Sequence, residues 1–354
     1  MIFPPGVLTG NSVTNLFEYA KEQGFAIPAV NVTGTNSINA TLEAANAVKS
    51  PVIIQLSNAG AHFFAGKHLS NTNQEASITG AVSAAQHVHE VAEHYGVSVL
   101  LHTDHANRKL LPWVDGLLKK NRIHLDKTGK PLFSSHMIDL STESIEKNLA
   151  TCRKYLKTTS KLDITLEIEL GVTGGIEDGF DHSDVEQSSM YTKPMEILRA
   201  YEELSKISKK FTVAASFGNV HGVYNPGNVE LKPEILKHAQ ELIKTECGTT
   251  DNPATFVFHG GSGCSRGQIR EAISYGTVKM NINTDLQWAF WQRIRDYYQQ
   301  NEAYLQSQTG NPEGADKPNK PYYNPQVWLR EGEIGIVNRL LKTFEDLNCI
   351  NQNS

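Results

Sequence analysis

Cysteine is scarce in this chain, and the few present do not pair up. Cys152, Cys247, Cys264 and Cys349 lie far apart, with no C-x-x-C pair, so a disulfide framework is not expected. Long basic runs are missing as well. With 33 Lys+Arg against 38 Asp+Glu, a net charge of −5 and a pI near 6.2, the chain offers no electrostatic footprint for a phosphodiester backbone, and a nucleic-acid partner is excluded. A small anionic substrate is not excluded, because a local site can be positive on a negative protein. No window approaches ~18 unbroken apolar residues, so no membrane span is expected. The opening MIFPPGVLTG holds no basic stretch before a long apolar core, so no signal peptide is expected either. The expectation is a reduced, cytoplasmic protein, in which Asn31-Val-Thr33 and Asn39-Ala-Thr41 match the glycosylation pattern by chance.

What the chain does have is a repeat. Its 354 residues allow one large domain or two ordinary ones. Short apolar runs at 25–32, 52–57, 97–102, 132–139, 164–169, 211–217, 255–259 and 278–281 each give way to a 3.6-period stretch, at 37–49, 74–95, 109–120, 142–157, 194–206, 233–244, 266–275 and 285–300. Strands apolar along their whole length belong to a sheet covered on both faces, hence parallel with helical crossovers. Eight βα units over roughly 260 residues match an α/β fold of the closed (β/α)8 TIM-barrel type. An open doubly wound sheet is the alternative, but it wants a Gly-rich turn after the first strand, and Asn31-Val-Thr-Gly-Thr has one glycine. The expected organisation is a catalytic barrel over 1–300 and an extension over 301–354 that is not an independent domain. Two segments exceed the repeat. The acidic, Gly-bearing loop 171–192 is long enough to be a lid, and 306–326, rich in Pro, Gly and Asn, cannot be a barrel element. A helical stretch at 334–347 beyond it suggests a C-terminal arm that packs across a neighbouring subunit.

The unusual residues sit at the strand ends, where barrels of this type gather their active sites. The third strand ends in His102-Thr103-Asp104-His105, the fourth runs through His136 to Asp139, the fifth ends in Glu167-Ile-Glu169, the sixth in Asn219-Val-His221-Gly222, and the seventh in His259-Gly260-Gly261-Ser262-Gly263. A lone strand-end histidine is more often a hydrogen-bonded structural residue, and His102, His87 and His94 are placed in that class. Three imidazoles from different strands are another matter. His105, His221 and His259 come from strands 3, 6 and 7 and can meet near the axis, as the three protein ligands of an open catalytic zinc site do. The glycines after strand 7 and the Asn281-Ile-Asn-Thr284 run after strand 8 let backbone approach an anion, in the loops where this fold often binds phosphate. Tight turns explain such glycines equally well when they stand alone. Beside a metal site, they point to a phosphorylated carbonyl compound.

Six motifs in this order carry a resemblance: HTDH followed by RKLLPW, PLFSSHMIDLS, LEIELG-x-TGG, AASFGNVHGVY-x-PGNV, FVFHGGSG and VKMNINTD. Together, from about residue 7 to 347, they resemble class II, zinc-dependent fructose-1,6-bisphosphate aldolase, in its longer dimeric branch. The resemblance implies retro-aldol cleavage of fructose 1,6-bisphosphate to dihydroxyacetone phosphate and glyceraldehyde 3-phosphate. It implies that His105, His221 and His259 hold the catalytic zinc and that Asp139 and Glu169 serve a second or alternative divalent ion. Asp104 would be the acid/base at the C4 oxygen and Glu177 the group that moves the dihydroxyacetone phosphate proton. Asn31, Ser57, Gly222, Gly260, Gly261, Ser262, Asn281, Ile282, Asn283 and Thr284 would contact substrate. A monovalent cation such as K+ or Na+ and a homodimer complete the implied picture. A Schiff-base route would want a lysine at the rim, whereas Lys279 lies within the eighth strand.

Some positions depart from the family pattern. Where the family reads NKK, two aromatics and DPR, this chain reads Asn319-Lys-Pro-Tyr-Tyr-Asn-Pro-Gln326, so a neutral amide stands where an arginine binds the distal phosphate. Losing such a contact costs about 1.5–3 kcal/mol. Asn283 replaces an Asp, Ile176 the first Glu of GGEEDG, and Cys264 a small hydroxyl residue. Aldolase action on tagatose bisphosphate or another phosphorylated ketose is therefore the nearest alternative. A metal-free sugar-phosphate-binding paralogue is a remoter one, since the histidines, Asp104 and Glu177 are intact. A zinc hydrolase would begin with H-x-H on strand 1, which here ends in Asn31.

Overall fold

The computed structural model describes residues 2–177, 180–182, 190–221, 230–261 and 264–353, with backbone only at 174–177, 180–182 and 221. In chain order the elements are β1 Gly6–Val7, α1 Asn11–Gln23, β2 Ile27–Asn31, α2 Thr35–Ala47, β3 Val52–Leu56, α3 Asn58–Ala65, α4 Glu75–Tyr95, β4 Ser98–Thr103, α5 Leu111–Thr128, β5 Ser135–Ile138, α6 Ile145–Ser160 and β6 Thr165–Leu170. There follow β7 Gly174–Glu177, β8 Phe180–His182, α7 Pro194–Ser205, β9 Phe211–Ala215, β10 Val220–His221, α8 Glu234–Cys247, β11 Phe256–Phe258, α9 Arg266–Ser274, β12 Thr277–Ile282 and α10 Thr284–Gln300. The chain closes with β13 Thr309–Asn311, β14 Gly314–Pro318, α11 Lys320–Tyr323 and α12 Pro325–Asp346.

The sheet closes on itself. Strands β2, β3, β4, β5, β6, β9, β11 and β12 pair in parallel, each with the next, and β12 returns to β2 through Lys279 opposite Ile27 and Ile282 opposite Val30. These are the eight strands expected from the apolar runs, in an eight-stranded (β/α)8 barrel. Nearly all their side chains are buried, as strands covered on both faces require.

Three elements add to the repeat. Strand β1 pairs with the start of β4, at Ser98 and Val99, while β5 takes the same edge further along, at His102 and Thr103. Helix α1 buries Val13, Leu16, Phe17 and Ala20, a one-sided i, i+3, i+4, i+7 stripe, and stops at Gly24 in a left-handed C-cap. Helix α3 follows β3 directly and is capped by Ser57.

The C-terminal segment differs from expectation. Helix α12 begins at Pro325, nine residues before the expected helical stretch, because Asn324 accepts from the Gln326 N–H and proline suits the first helical position. It packs on α2 and α10 of its own chain, with Ile336, Leu340 and Phe344 in the core. Gly332 and Gly335 permit the close crossing on α10. A Cβ at Gly332 would lie 2.4 Å from the Phe290 ring, and one at Gly335 2.3 Å from the Ala289 carbonyl oxygen. Over 325–346 the segment thus lies in the outer layer of this chain's barrel. Residues 309–318 form an antiparallel hairpin outside the barrel, as the composition required. Of the long loop 171–192, β7 and β8 pair with each other and with β10 apart from the barrel, while 178–179 and 183–189 lie outside the described residues.

Candidate active site

Side chains along a strand alternate between its faces, so residues two apart share one face. Asn31, Gln55, His102 with Asp104, Glu167 with Glu169, and Lys279 with Asn281 sit at such positions on β2, β3, β4, β6 and β12 or just past their ends. Closing the barrel brings them together inside it. Glu167 receives Lys279 Nζ on both oxygens, at 2.9 and 2.9 Å. Two residues onward, at the C-terminal rim, stands the candidate site.

Asp104 is fully buried there. Its Oδ2 accepts from the amides of Asn31 at 3.1 Å and Gln55 at 3.0 Å, and its Oδ1 from Asn281 at 3.3 Å. Three amide donors aimed at one group suit an ionised carboxylate, which only accepts. The next residue, His105, holds φ at +36°, a left-handed conformation that a bulky side chain adopts at a cost of order 1–3 kcal/mol. That turn sends its ring towards Asp139, whose Oδ2 lies 3.1 Å from Nδ1, and Glu169, whose Oε2 lies 3.4 Å from the same nitrogen. His259 meets the His105 ring edge to face at 4.7 Å and puts Nδ1 3.5 Å from Glu169 Oε2.

Electrostatics identify what this rim is built to hold. Burial alone would push both imidazoles down, but the carboxylates outweigh it. Asp104, Asp139 and Glu169 hold His105 well above the ordinary imidazole range, and Glu169 and Glu167 bring His259 up to about 9. Burial works in the opposite direction on Asp139 and is outweighed by His105 and Ser141, which keep it an anion. A negative field that draws protons onto two buried imidazoles is a field that draws a metal cation to the same nitrogens. The donor set agrees: ligand atoms of Asp104, His105 and His259, and of His105, Asp139 and Glu169, lie within 4.8 Å of one another. Glu169 Oε2 is buried and accepts no hydrogen bond among the described residues. Imidazole and carboxylate together fit zinc.

The remaining expected residues divide. Asn31 and Asn281 reach the rim but spend amide protons on Asp104. Ser57 Oγ accepts from the Gly60 N–H at 3.1 Å, a helix-capping bond. Gly260 sits at φ +62°, and a Cβ on Gly261 would lie 2.7 Å from Met280 Sδ, so both glycines are required by the turn whether or not they also cradle an anion. The Ile282 side chain belongs to the core, at 1% exposure, which leaves its backbone for a ligand. Asn283 accepts from Gln287 Nε2 at 3.0 Å, and Thr284 opens α10, so the first unpaired N–H groups of that helix start at the rim. Gly222 and Ser262 lie outside the described residues, as do the side chains of His221 and Glu177; the backbones of those two fall in β10 and β7.

Similarity to known proteins decides the family. The model of class-II fructose-bisphosphate aldolase matches residues 11–352. The chain is 58% identical to "Fructose-bisphosphate aldolase" of Haemophilus influenzae, over 99% of this chain and 98% of that one. It is equally 58% identical to "Fructose-bisphosphate aldolase class 2" of Escherichia coli K12, over 98% and 97%. The crystal structure of the Campylobacter jejuni aldolase superposes with a TM-score of 0.91 at 56% identity, covering 99% of this chain and 98% of that one.

The chain belongs to the class II fructose-bisphosphate aldolases. It is therefore a lyase of the zinc-dependent type, and its substrate is a phosphorylated sugar. Class II membership also gives the negative field of the rim its meaning, since a metal rather than a lysine amine carries the electrophilic role in these aldolases. Lys279, the buried lysine nearest the site, is 2% exposed and held by Glu167.

The residue reading of the strand ends found Asp104, His105, Asp139, Glu169 and His259, which the fold brings together. It missed Gln55, the third amide on Asp104, and gave no role to Glu167 or Lys279. The available signal was the two-residue step: each lies on the inward face of a strand that ends in a site residue or stands beside one.

Proposed function

We propose that this chain cleaves fructose 1,6-bisphosphate, reversibly, to dihydroxyacetone phosphate and glyceraldehyde 3-phosphate. The observation that carries the reading is the cluster of Asp104, His105, Asp139, Glu169 and His259 at the C-terminal rim. His105, His221 and His259 would hold zinc, with Asp139 and Glu169 serving a second or alternative divalent position. Zinc, when bound, supplies Lewis-acid stabilisation of the negative charge left on the ketose as its C3–C4 bond breaks. Asp104, held by Asn31, Gln55 and Asn281, takes the C4 hydroxyl proton as that bond breaks and returns it in the condensation direction. Glu177 delivers the proton to the carbon that was C3 of the ketose, which becomes the hydroxymethyl group of dihydroxyacetone phosphate. Gly222, Gly260 to Ser262 and Asn281 to Thr284 bind phosphate and the ketose oxygens, and a K+ or Na+ ion beside that phosphate raises activity. The protein works in the cytoplasm as a homodimer to which residues 301–354 contribute.

A coupled cleavage assay with fructose and tagatose bisphosphates, with and without EDTA and borohydride, tests this reading. Activity on the fructose substrate that EDTA removes and borohydride spares is expected; activity that survives the chelator overturns it. One observation favours a second reading. Gln326 and Asn283 stand where the resemblance places Arg and Asp, which supports preference for another phosphorylated ketose. Gln326→Arg is expected to lower KM for fructose 1,6-bisphosphate by about tenfold or more, the equivalent of one charge-assisted contact. An unchanged KM would remove Gln326 from the account of specificity.

A further inference from the structure

Below the rim the barrel buries a lysine and a glutamate with no role in the steps above. Lys279 and Glu167 are each 2% exposed, and Lys279 Nζ reaches both Glu167 oxygens at 2.9 Å. Stability alone is a weak reason for such a pair, because taking two charges out of water costs about as much as their attraction returns. The glutamate, however, has a third partner: His259 Nε2 lies 2.9 Å from its Oε1. That contact points down the barrel. The other ring nitrogen, Nδ1, points up, towards Glu169 Oε2 at 3.5 Å and the His105 ring.

We propose that Lys279 and Glu167 are positioning residues for His259, fixing its ring with Nε2–H donated to Glu167 and Nδ1 presented to the metal. The proposal rests on the reading of His259 as a zinc ligand. A carboxylate behind a ligating imidazole sets the tautomer and makes the opposite nitrogen a stronger donor to the metal. The lysine has a separate task. Its ammonium donates to both Glu167 oxygens at 2.9 Å, which fixes the carboxylate with Oε1 turned towards His259 Nε2. Without that ammonium the glutamate loses the partner that fixes its orientation behind the ring. His102 cannot replace the lysine. Its Nε2 stays 3.8 Å from Glu167 Oε2, and its Nδ1 is engaged with Ser135 Oγ at 2.7 Å.

The test uses the full-length protein, 15N-labelled at histidine, in metal-free and zinc-loaded forms, with the ring nitrogens read by long-range 1H–15N correlation. In the zinc-loaded wild type, His259 is expected to carry its proton on Nε2 and to show the metal shift on Nδ1. In parallel, Lys279→Met and Glu167→Gln are expected to weaken zinc, measured by chelator competition, by about 10- to 100-fold, while KM at saturating zinc changes less than about twofold. A merely structural pair would lower the thermal midpoint and leave the zinc affinity of the folded protein unchanged, and that result overturns the proposal. Metallation of Nε2 in the wild type overturns it as well, whether or not the variants fold. A His259 ring that does not respond to zinc at all overturns the ligand assignment underneath.

Discussion

Two pairs of buried or nearly buried histidines share the upper half of this barrel, and their neighbours give them opposite characters. His105 and His259 face Asp104, Asp139, Glu167 and Glu169 and are driven to the charged form. His102 and His136 are no more exposed, yet burial holds each down to about 3. His136 has Thr103 Oγ1 at 2.7 Å from Nδ1 and the Asn121 amide at 2.9 Å from Nε2. Because an amide nitrogen only donates, His136 must accept at Nε2 and donate from Nδ1, which is a neutral ring in one tautomer. Burial thus makes a histidine costly to charge, and the balance of neighbouring charges decides whether it is charged anyway: His102 also has Glu167 and Asp104 beside it, but burial and Lys279 outweigh them. Ligand atoms of His102, Asp104 and Glu167 also lie within 4.8 Å of one another, but Lys279 already occupies that field, whereas His105 and His259 keep theirs for a cation.

The comparison breaks most sharply at Asp104. Asp104→Asn keeps the shape but sets an amide against three amide donors and removes the base; kcat is expected to fall about 10²- to 10⁴-fold, with bound zinc, measured by atomic emission, near that of the wild type. Glu169→Gln removes the charge that faces both His105 and His259. Zinc affinity by chelator competition is expected to weaken by about 10- to 100-fold. An affinity unchanged in Glu169→Gln would mean that the carboxylates do not distinguish the two pairs.

The second pair should answer to stability instead. His136→Phe leaves partners of the ring unmatched and is expected to cost about 1–3 kcal/mol in urea unfolding, with zinc affinity untouched. The pH dependence sharpens the same point. A histidine at about 3 in the folded protein and about 6.5 in the unfolded chain takes up a proton only on unfolding between those values. Its contribution is complete above about pH 6.5 and is lost as the pH falls, at up to about 1.4 kcal/mol per pH unit. Urea midpoints between pH 7 and 4 should therefore fall less steeply in His136→Phe than in the wild type.

Much of this was legible in the sequence. The eight strands were visible because parallel strands buried on both faces are continuous apolar runs. The rim residues were visible because they follow those runs as abrupt His and carboxylate clusters. Other features were hidden for physical reasons. Helix α12 starts with an Asn-Pro cap inside a stretch whose proline and asparagine content reads as loop. Gln55, Glu167 and Lys279 look like isolated polar interruptions of a strand until closure sets them against one another. The positive φ of His105 has no counterpart in the sequence, because a left-handed histidine follows from what holds the ring and not from its own preference. His102 could be set aside as structural from the base expectation for a lone histidine, although it shares the string HTDH with His105.

Anomalous scattering at the zinc edge from crystals of the zinc-loaded protein tests the division most directly. The expected result is a peak about 2.0–2.1 Å from nitrogens of both His105 and His259, with none beside His102 or His136. A zinc peak on His102 or His136, or none near His105 and His259, would contradict it.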